Sequence, residues 1–411
     1  MNERRVVVTG LGAVSCAGNS IPELWASLVA GRSGIGRITL FDAADLPCPV
    51  GEVKNFDPPG VSPKELRRMA RFTSFAVGAA DEALAQAGVV DTPEACGIDP
   101  FRCGVYFSNG AGGVEEYDRN AEILEKRGVG GISPFFIPKY ISNSASGTVA
   151  IRRKLRGPNF DPVSACASSL NAIGEAAWTI RRDDADLMLA GGAEACLSRL
   201  MTSGFYALTA LSRTDCRPFD KNRDGFVLAE GGAALVLEEL EHARRRGAAI
   251  LAEVAGYGAT CDATHITAPD PEGAGMIYAI RRALEMAGCA PEEVGAVYAH
   301  GTGTTANDRV EAKVLRAVFG EALPRVKVSA IKSMIGHALS ASGALAALAA
   351  VQTLRTGILP PTINCRELDP ECAPLDVNIG GAEKIDPRFV LVDALGFGGH
   401  NTALILKKWE S

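Results

Sequence analysis

Short apolar runs alternating with amphipathic stretches constrain this chain most, because that rhythm points to an α/β architecture. Val6 to Leu11, Cys103 to Ser108, Asp186 to Ala190 and Ala233 to Glu238 read as strands of a first half, with helices such as Lys64 to Ala87 between them. From about Ile250 the rhythm restarts. Val254 to Tyr257, Val294 to Ala299, Lys327 to Ile331, Val390 to Ala394 and Ala403 to Lys407 read as strands of a second half. No low-complexity segment or long polar linker intervenes. The expectation is two similar halves, residues 1–249 and 250–411, packed as one body with an active cleft at their junction.

Composition removes several function classes. A net charge of −6 argues against wholesale nucleic-acid binding. Eleven cysteines lie scattered without Cys-x-x-Cys pairs or clustered histidines, which fits a reduced cytoplasmic compartment better than a disulfide framework or a zinc site. The N-terminus enters the strand-like Arg5 to Gly10 at once, with no signal peptide. The longest apolar stretch, Leu339 to Val351, is too short and too interrupted by Ser and Gly to span a bilayer, so no membrane insertion is expected. Gly10-Leu11-Gly12-Ala13-Val14-Ser15 lacks the third glycine of a dinucleotide fingerprint and reads as a tight turn. Asp220 to Gly225 opens like a calcium loop, but its twelfth position is Gly231, with Glu230 one residue early and a strand-like Phe226 to Leu228 between. Calcium is rejected.

Asp161-Pro162-Val163-Ser164-Ala165-Cys166-Ala167-Ser168-Ser169-Leu170 carries the first candidate chemistry. An extended lead-in meets Cys166, and Leu170, Ile173, Ala177 and Ile180 follow at helical spacing. That places Cys166 on a strand-to-helix turn, where the helix N-terminus would lower the thiol pKa and favour a nucleophilic thiolate. A small buried cysteine is the competing reading. Two further polar turns follow predicted strands, Tyr298 to Thr305 with His300 and Lys327 to His337 with Lys332 and His337; a third is Leu395 to Asn401. Strand ends are where α/β sheets gather ligands, although a lone histidine is as often structural. Ser62-Pro63 opens a helix on which Lys64, Arg67, Arg68 and Arg71 make a basic face. It reads either as a solvated helix face or as a docking patch for an acidic partner.

Taken in order, Ser164 to Ser169, Gly191-Gly192-Ala193-Glu194, Arg217-Pro218-Phe219-Asp220, Arg223 to Phe226, Ala299 to Thr304, Lys332 to His337 and Gly396 to Gly399 resemble the β-ketoacyl-acyl-carrier-protein synthases of the thiolase superfamily, most closely the type II, long-chain elongating branch. The resemblance implies a five-layered α-β-α-β-α thiolase-like body and a homodimer. It implies an acyltransferase of type II fatty-acid elongation: Cys166 takes an acyl chain from acyl carrier protein, and malonyl carrier protein then loses CO₂ and attacks the thioester. His300 and His337 would assist decarboxylation and stabilise the enolate, with Lys332 orienting the site beside Glu311 and Asp308 in support. The oxyanion hole and gate would lie at Cys166, Phe397 and Gly398. Thr267, Thr302 and Thr304 match pantetheine contacts, Ala111, Phe136 and Phe205 the acyl pocket, and Lys64, Arg67 and Arg68 the carrier-protein docking region. No redox cofactor or catalytic metal is implied.

Four departures stand out. Ser340 replaces a usual glycine. Ala346 replaces a glutamate that helps hold a buried water or monovalent-cation network, which weakens the case for a structural cation. The loop between Leu211 and Arg217 is short, and Ala111 is small for its place, which suggests a reshaped pocket. These keep open a ketosynthase of a specialised polyketide or polyene pathway. A thiolase would need a second cysteine near the C-terminal glycine loop, where His400 stands instead. A non-catalytic chain-length partner would lack the nucleophile.

Overall fold

A computed structural model of the protein describes residues 4–410. Its main strands in chain order are β1 (Val6–Ser15), β2 (Cys103–Ser108), β3 (Asn159–Phe160), β4 (Leu187–Glu194), β5 (Gly231–Glu239) and β6 (Ala252–Cys261). β7 (Val294–Tyr298), β8 (Lys327–Ser329), β9 (Asp376–Val377), β10 (Phe389–Gly396) and β11 (His400–Lys408) follow. They form one sheet in the order β9-β8-β7-β10-β11-β6-β1-β5-β4-β2-β3. Read outward from the centre, β1-β5-β4-β2-β3 is matched by β6-β11-β10-β7-β8, and β9 extends the second set. Orientations repeat too: two antiparallel pairings, then parallel ones, on each side. Among the described residues, the two sets of strands pair at Val7↔Glu253 and Val8↔Ala252.

The likeness of the halves reaches single residues. In β1 the register slips at Thr9, and Gly10 and Gly12 follow; in β6 it slips at Ala255, and Gly256 and Gly258 follow. A Cβ on Gly10 or Gly12 would lie 2.0 and 1.9 Å from the carbonyl oxygens of Ala83 and Ala79, on the Arg71–Gln86 helix. A Cβ on Gly256 or Gly258 would lie 1.9 and 2.1 Å from those of Ala283 and Ala279, on the Ala274–Ala287 helix. The Gly10–Ser15 stretch is therefore not the expected turn. It is the interior of a strand, stripped of side chains so that a helix can lie against its backbone.

Three main apolar cores hold five layers together, the central one filling the spaces on both sides of the middle layer. One lies between the Arg71–Gln86 helix and the outer face of the first half-sheet, another between the second half-sheet and the Ala274–Ala287 and Thr305–Phe319 helices. The central core surrounds two inner helices, Ser168–Arg181 and Ser342–Thr356, sandwiched between the half-sheets. The Leu339–Val351 run is thus the buried start of the second inner helix, alanine-rich because both sides are packed. No helix among the described residues is long and apolar enough to cross a membrane.

The expected Lys64–Ala87 helix is two helices, Pro63–Leu66 and Arg71–Gln86. Ser62 and Glu65 close a capping box on the first, and Ala70 is extended ahead of the second. The break turns Arg71 inward: its Nε lies 2.9 Å from Glu230 and its Nη2 donates to the Val53 carbonyl. Arg71 thereby leaves the basic face. In the calcium-like loop the carboxylates are spent on protein donors. Asp220 accepts from the amides of Asn222, Arg366 and Glu367, and Asp224 from Ser212 and Arg213. Phe226 and Leu228 form only isolated bridges, to Leu211 and His337.

Gly12→Ala would drive a methyl into Ala79. The expected loss is about 3 kcal/mol, read as a lowered urea midpoint at unchanged slope.

Candidate active site

Each inner helix is preceded by a single 3-10 turn that starts on a left-handed residue, Ala165 (φ 51°) before Ser168 and Leu339 (φ 41°) before Ser342. Non-glycine residues seldom adopt this conformation, and local bonds hold the first turn in it. The Ser164 amide donates to Ser168 Oγ at 2.8 Å, Ser168 Oγ donates to the Ala165 carbonyl at 2.6 Å, and Asn171 Nδ2 donates to Ser164 Oγ at 2.5 Å. The turn projects Cys166 towards His337, which leads into the second inner helix. Cys166 Sγ lies 3.1 Å from His337 Nε2.

His337 is fixed from three sides. Its amide donates to the Val227 carbonyl at 2.7 Å, its ring meets Phe226 edge-on at 5.3 Å, and its Nδ1 lies 2.8 Å from Ser342 Oγ. A hydroxyl can donate or accept, so Ser342 supports both tautomers. One presents the Nε2 lone pair to the thiol and the other an Nε2–H donor. Ser342 went unnoticed as a site residue because a serine that opens a helix reads as a cap. The His300 ring stands perpendicular to His337 at 5.3 Å, with its own Nδ1 buried and unpartnered.

The structure corrects the expected thiol electrostatics. The inner helix begins two residues beyond Cys166, so the sulfur does not cap it. Burial pushes the thiol up to about 11, outweighing Lys332 and the Phe397 and Cys166 amides, which favour the thiolate. Burial, and then the Lys332 charge, hold both histidines well below their usual range. The resting pair is neutral thiol beside neutral imidazole, so the thiol proton moves during reaction rather than before it.

Behind His300 stands Lys332, whose Nζ donates to the His300 carbonyl at 2.6 Å. Glu311, expected to pair with Lys332, acts on it through space. Its Oε2 accepts from the Gly301 amide at 2.8 Å and Asn307 Nδ2 at 3.1 Å. Asp308 braces the same turn, accepting from Phe219 and Gly303 amides at 2.7 and 3.2 Å. Asp393 of β10, which sequence reading missed, accepts the His300 amide at 2.7 Å. Nothing near it marks a buried aspartate as functional when a strand is read alone.

The glycine loop closes the site. A Cβ on Gly396 would lie 2.7 Å from the Ser164 carbonyl and 3.3 Å from the Cys166 amide, so only glycine lets the end of β10 touch the cysteine turn. The Phe397 amide is thereby aimed at Cys166 Sγ. Gly398 is not a third donor: its amide is committed to the Ile266 carbonyl at 2.7 Å, and its φ of 88° serves the turn.

A cavity of about 540 Å³ opens at Cys166 and is lined by His300, His337, Ala111, Phe205, Thr267, Thr302, Thr304 and Phe397. Phe136, expected in the acyl pocket, is outside it within this chain and stacks on Tyr140 at 5.7 Å. Lys64, Arg67 and Arg68 are exposed, with Arg68 over the Phe135 ring. Ala346 is buried in the central core and its methyl offers a cation no oxygen.

A cysteine and two histidines at the junction of duplicated half-sheets, facing one cavity of about 540 Å³, define a thiolase-fold condensing enzyme. The chain belongs to the beta-ketoacyl synthase family: that family's N-terminal domain matches residues 3–243 and its C-terminal domain residues 251–366. It is 42% identical over 417 residues to a 3-oxoacyl-[acyl-carrier-protein] synthase 2 of Staphylococcus aureus, covering 99% of each chain. Among solved structures it is similar to the ishigamide ketosynthase/chain length factor, with TM-score 0.93, 36% identity, and 99% and 100% of the two chains covered. It also resembles a type II polyketide ketosynthase, AntDE, in complex with its acyl-carrier protein AntF, with TM-score 0.91, 31% identity and 99% and 100% coverage.

Two outcomes test this geometry. Ser342→Ala removes one hydrogen bond of about 1 kcal/mol from His337, so Cys166 acylation should slow roughly fivefold in stopped-flow assays. Iodoacetamide labelling of Cys166 should speed up about tenfold per pH unit through pH 9, because a thiol held up to about 11 is still protonated there. A plateau below pH 8 would contradict the neutral pair.

Proposed function

We propose that the protein is a 3-oxoacyl-acyl-carrier-protein synthase of the type II kind. The contact between Cys166 and His337 at the foot of a chain-sized cavity carries the reading. In the first half-reaction, Cys166 Sγ attacks the acyl thioester of an acyl carrier protein while its proton passes to His337 Nε2. The Cys166 and Phe397 amides stabilise the tetrahedral oxyanion. The carbon–sulfur bond to the carrier breaks, and its thiolate takes the proton from His337. In the second, malonyl carrier protein loses CO₂, and the electron pair of the broken bond passes into an enolate held by His300 and His337. Its α-carbon attacks the Cys166 thioester, a carbon–carbon bond forms, the carbon–sulfur bond breaks, and the cysteine leaves as thiolate and takes one proton from solvent water. Thr302 and Thr304, 3.0 Å apart at the cavity wall, suit the pantetheine arm. Lys64, Arg67 and Arg68 suit an acidic carrier protein.

An exposed edge strand and apolar patch support a homodimer. β3 ends the sheet and carries Phe160, 45% exposed, with Val163 just after it at 54%; Ile137 is a further exposed apolar residue at 58%. Phe136 lies on the helix that carries Ile137 and would reach an acyl pocket across that interface. All eleven cysteines are free thiols, which suits a reduced cytoplasmic setting. The strand order restarts after residue 250, which supports a division into halves at 1–249 and 250–411. A specialised polyketide or polyene role is the second reading, favoured by the 36%-identical ishigamide ketosynthase.

The test is turnover with purified acyl- and malonyl-carrier proteins, read by mass spectrometry. The expected product is the 3-oxoacyl carrier protein two carbons longer, with one CO₂ released; Cys166→Ala should release no condensation product. Elongation of saturated primers would favour fatty-acid synthesis, and acceptance of only polyenoyl primers the specialised pathway. Failure with every primer would overturn both.

A further inference from the structure

Three bonds hold the backbone on either side of His300. Asp393 Oδ1 accepts the His300 amide, Lys332 Nζ donates to the His300 carbonyl, and Glu311 Oε2 accepts the Gly301 amide. The imidazole that meets substrate is therefore placed by two carboxyl groups and one ammonium, none of which reaches the cavity wall. Each carboxyl has a second oxygen, Glu311 Oε1 and Asp393 Oδ2. Both are buried without a hydrogen-bond partner, and the two carboxyls are neighbours, anchored on the consecutive amides of His300 and Gly301. Two ionised carboxylates cannot face one another in a dry interior, because neither could donate and both would carry charge. A proton between them resolves the conflict, as it does for other buried acid pairs.

We propose that Glu311 and Asp393 act as one proton-sharing acid pair, a positioning device that fixes the His300 peptide and offers Lys332 a single counter-charge. The pair shares the one proton: burial and the neighbouring Asp308 and Asp393 push Glu311 up, burial pushes Asp393 up, and Lys332 faces both members. The charged or titratable groups around the pair are Lys332, Asp308 with Arg223 behind it, and Cys372. Asn307 Nδ2 bridges Asp308 and Glu311. One net negative charge from the pair lets Lys332 stay protonated without drawing a proton onto His300. A neutral His300 is what a hydrogen-bond donor to a developing enolate requires, since an imidazolium would bind the malonyl carboxylate in the ground state instead.

The idea separates charge from shape. In Asp393→Asn the amide oxygen still accepts from His300, and the NH₂ donates to Glu311, now ionised. Glu311→Gln mirrors this. Each single variant keeps one negative charge, and the double variant keeps none. Infrared difference spectra of wild type minus Asp393→Asn should show the loss of one protonated-carboxyl C=O stretch that shifts in D₂O. Decarboxylation by either single variant should stay within about threefold of wild type, and the double variant should fall on the order of a hundredfold. A difference spectrum showing only a lost carboxylate band, or single effects that add to the double on a logarithmic scale, would overturn the proposal. The infrared arm needs no turnover, so its outcome stands apart from the condensing-enzyme reading on which the rate arm rests. If the double variant fails to fold by circular dichroism, the Asp393→Asn spectrum alone decides.

Discussion

The close passage of Gly396 over the cysteine turn is the constraint on which this site depends. It brings the end of β10, from the second half, within contact of the turn that presents Cys166 from the first. That contact gives the nucleophile its second amide donor, and it also places Asp393, three residues earlier on the same strand, behind His300. Any side chain at position 396 would push the halves apart where they must meet. Duplicated architecture makes the meeting possible. Two inner helices lie between two half-sheets, each entered through a 3-10 turn that starts on a left-handed residue, and the cysteine comes with one turn and His337 with the other.

Burial then sets the chemistry. The site keeps its thiol and imidazoles neutral at rest and concentrates charge in Lys332 and the carboxyls behind it. A neutral pair costs less to desolvate than a thiolate–imidazolium pair, and it leaves the amide donors free for an oxyanion that exists only during reaction. Substrate thus enters a site whose strongest dipoles are already aimed.

Much of this was legible because the residues that do chemistry are rare and sit in strongly patterned surroundings. His300, Lys332 and His337 follow apolar strand runs and Cys166 an extended, partly apolar lead-in, and the structure brings all four together. Short continuous apolar runs likewise marked the strand centres, whereas their ends were lost where glycine, serine or histidine continued the strand, as at Gly12 to Ser15. The Gly10-Gly12 pair was misread as a turn because its reason is a helix contributed from about seventy residues away. The basic helix was overextended because capping at Ser62 and extended Ala70 are backbone events, invisible in a run of good helix formers. Asp393, Ser342 and the committed Gly398 amide could not be found from sequence, since each acquires its role from a partner distant in the chain or from a backbone hydrogen bond.

The account stands most directly on Cys166 as the acyl acceptor. Intact mass should be measured after the pure protein is incubated with a series of acyl carrier proteins, beside Cys166→Ala. The account predicts a gain of one acyl group per chain in the wild type and none in the variant. Acylation that persists in Cys166→Ala, or no acylation of the wild type by any donor, would contradict it.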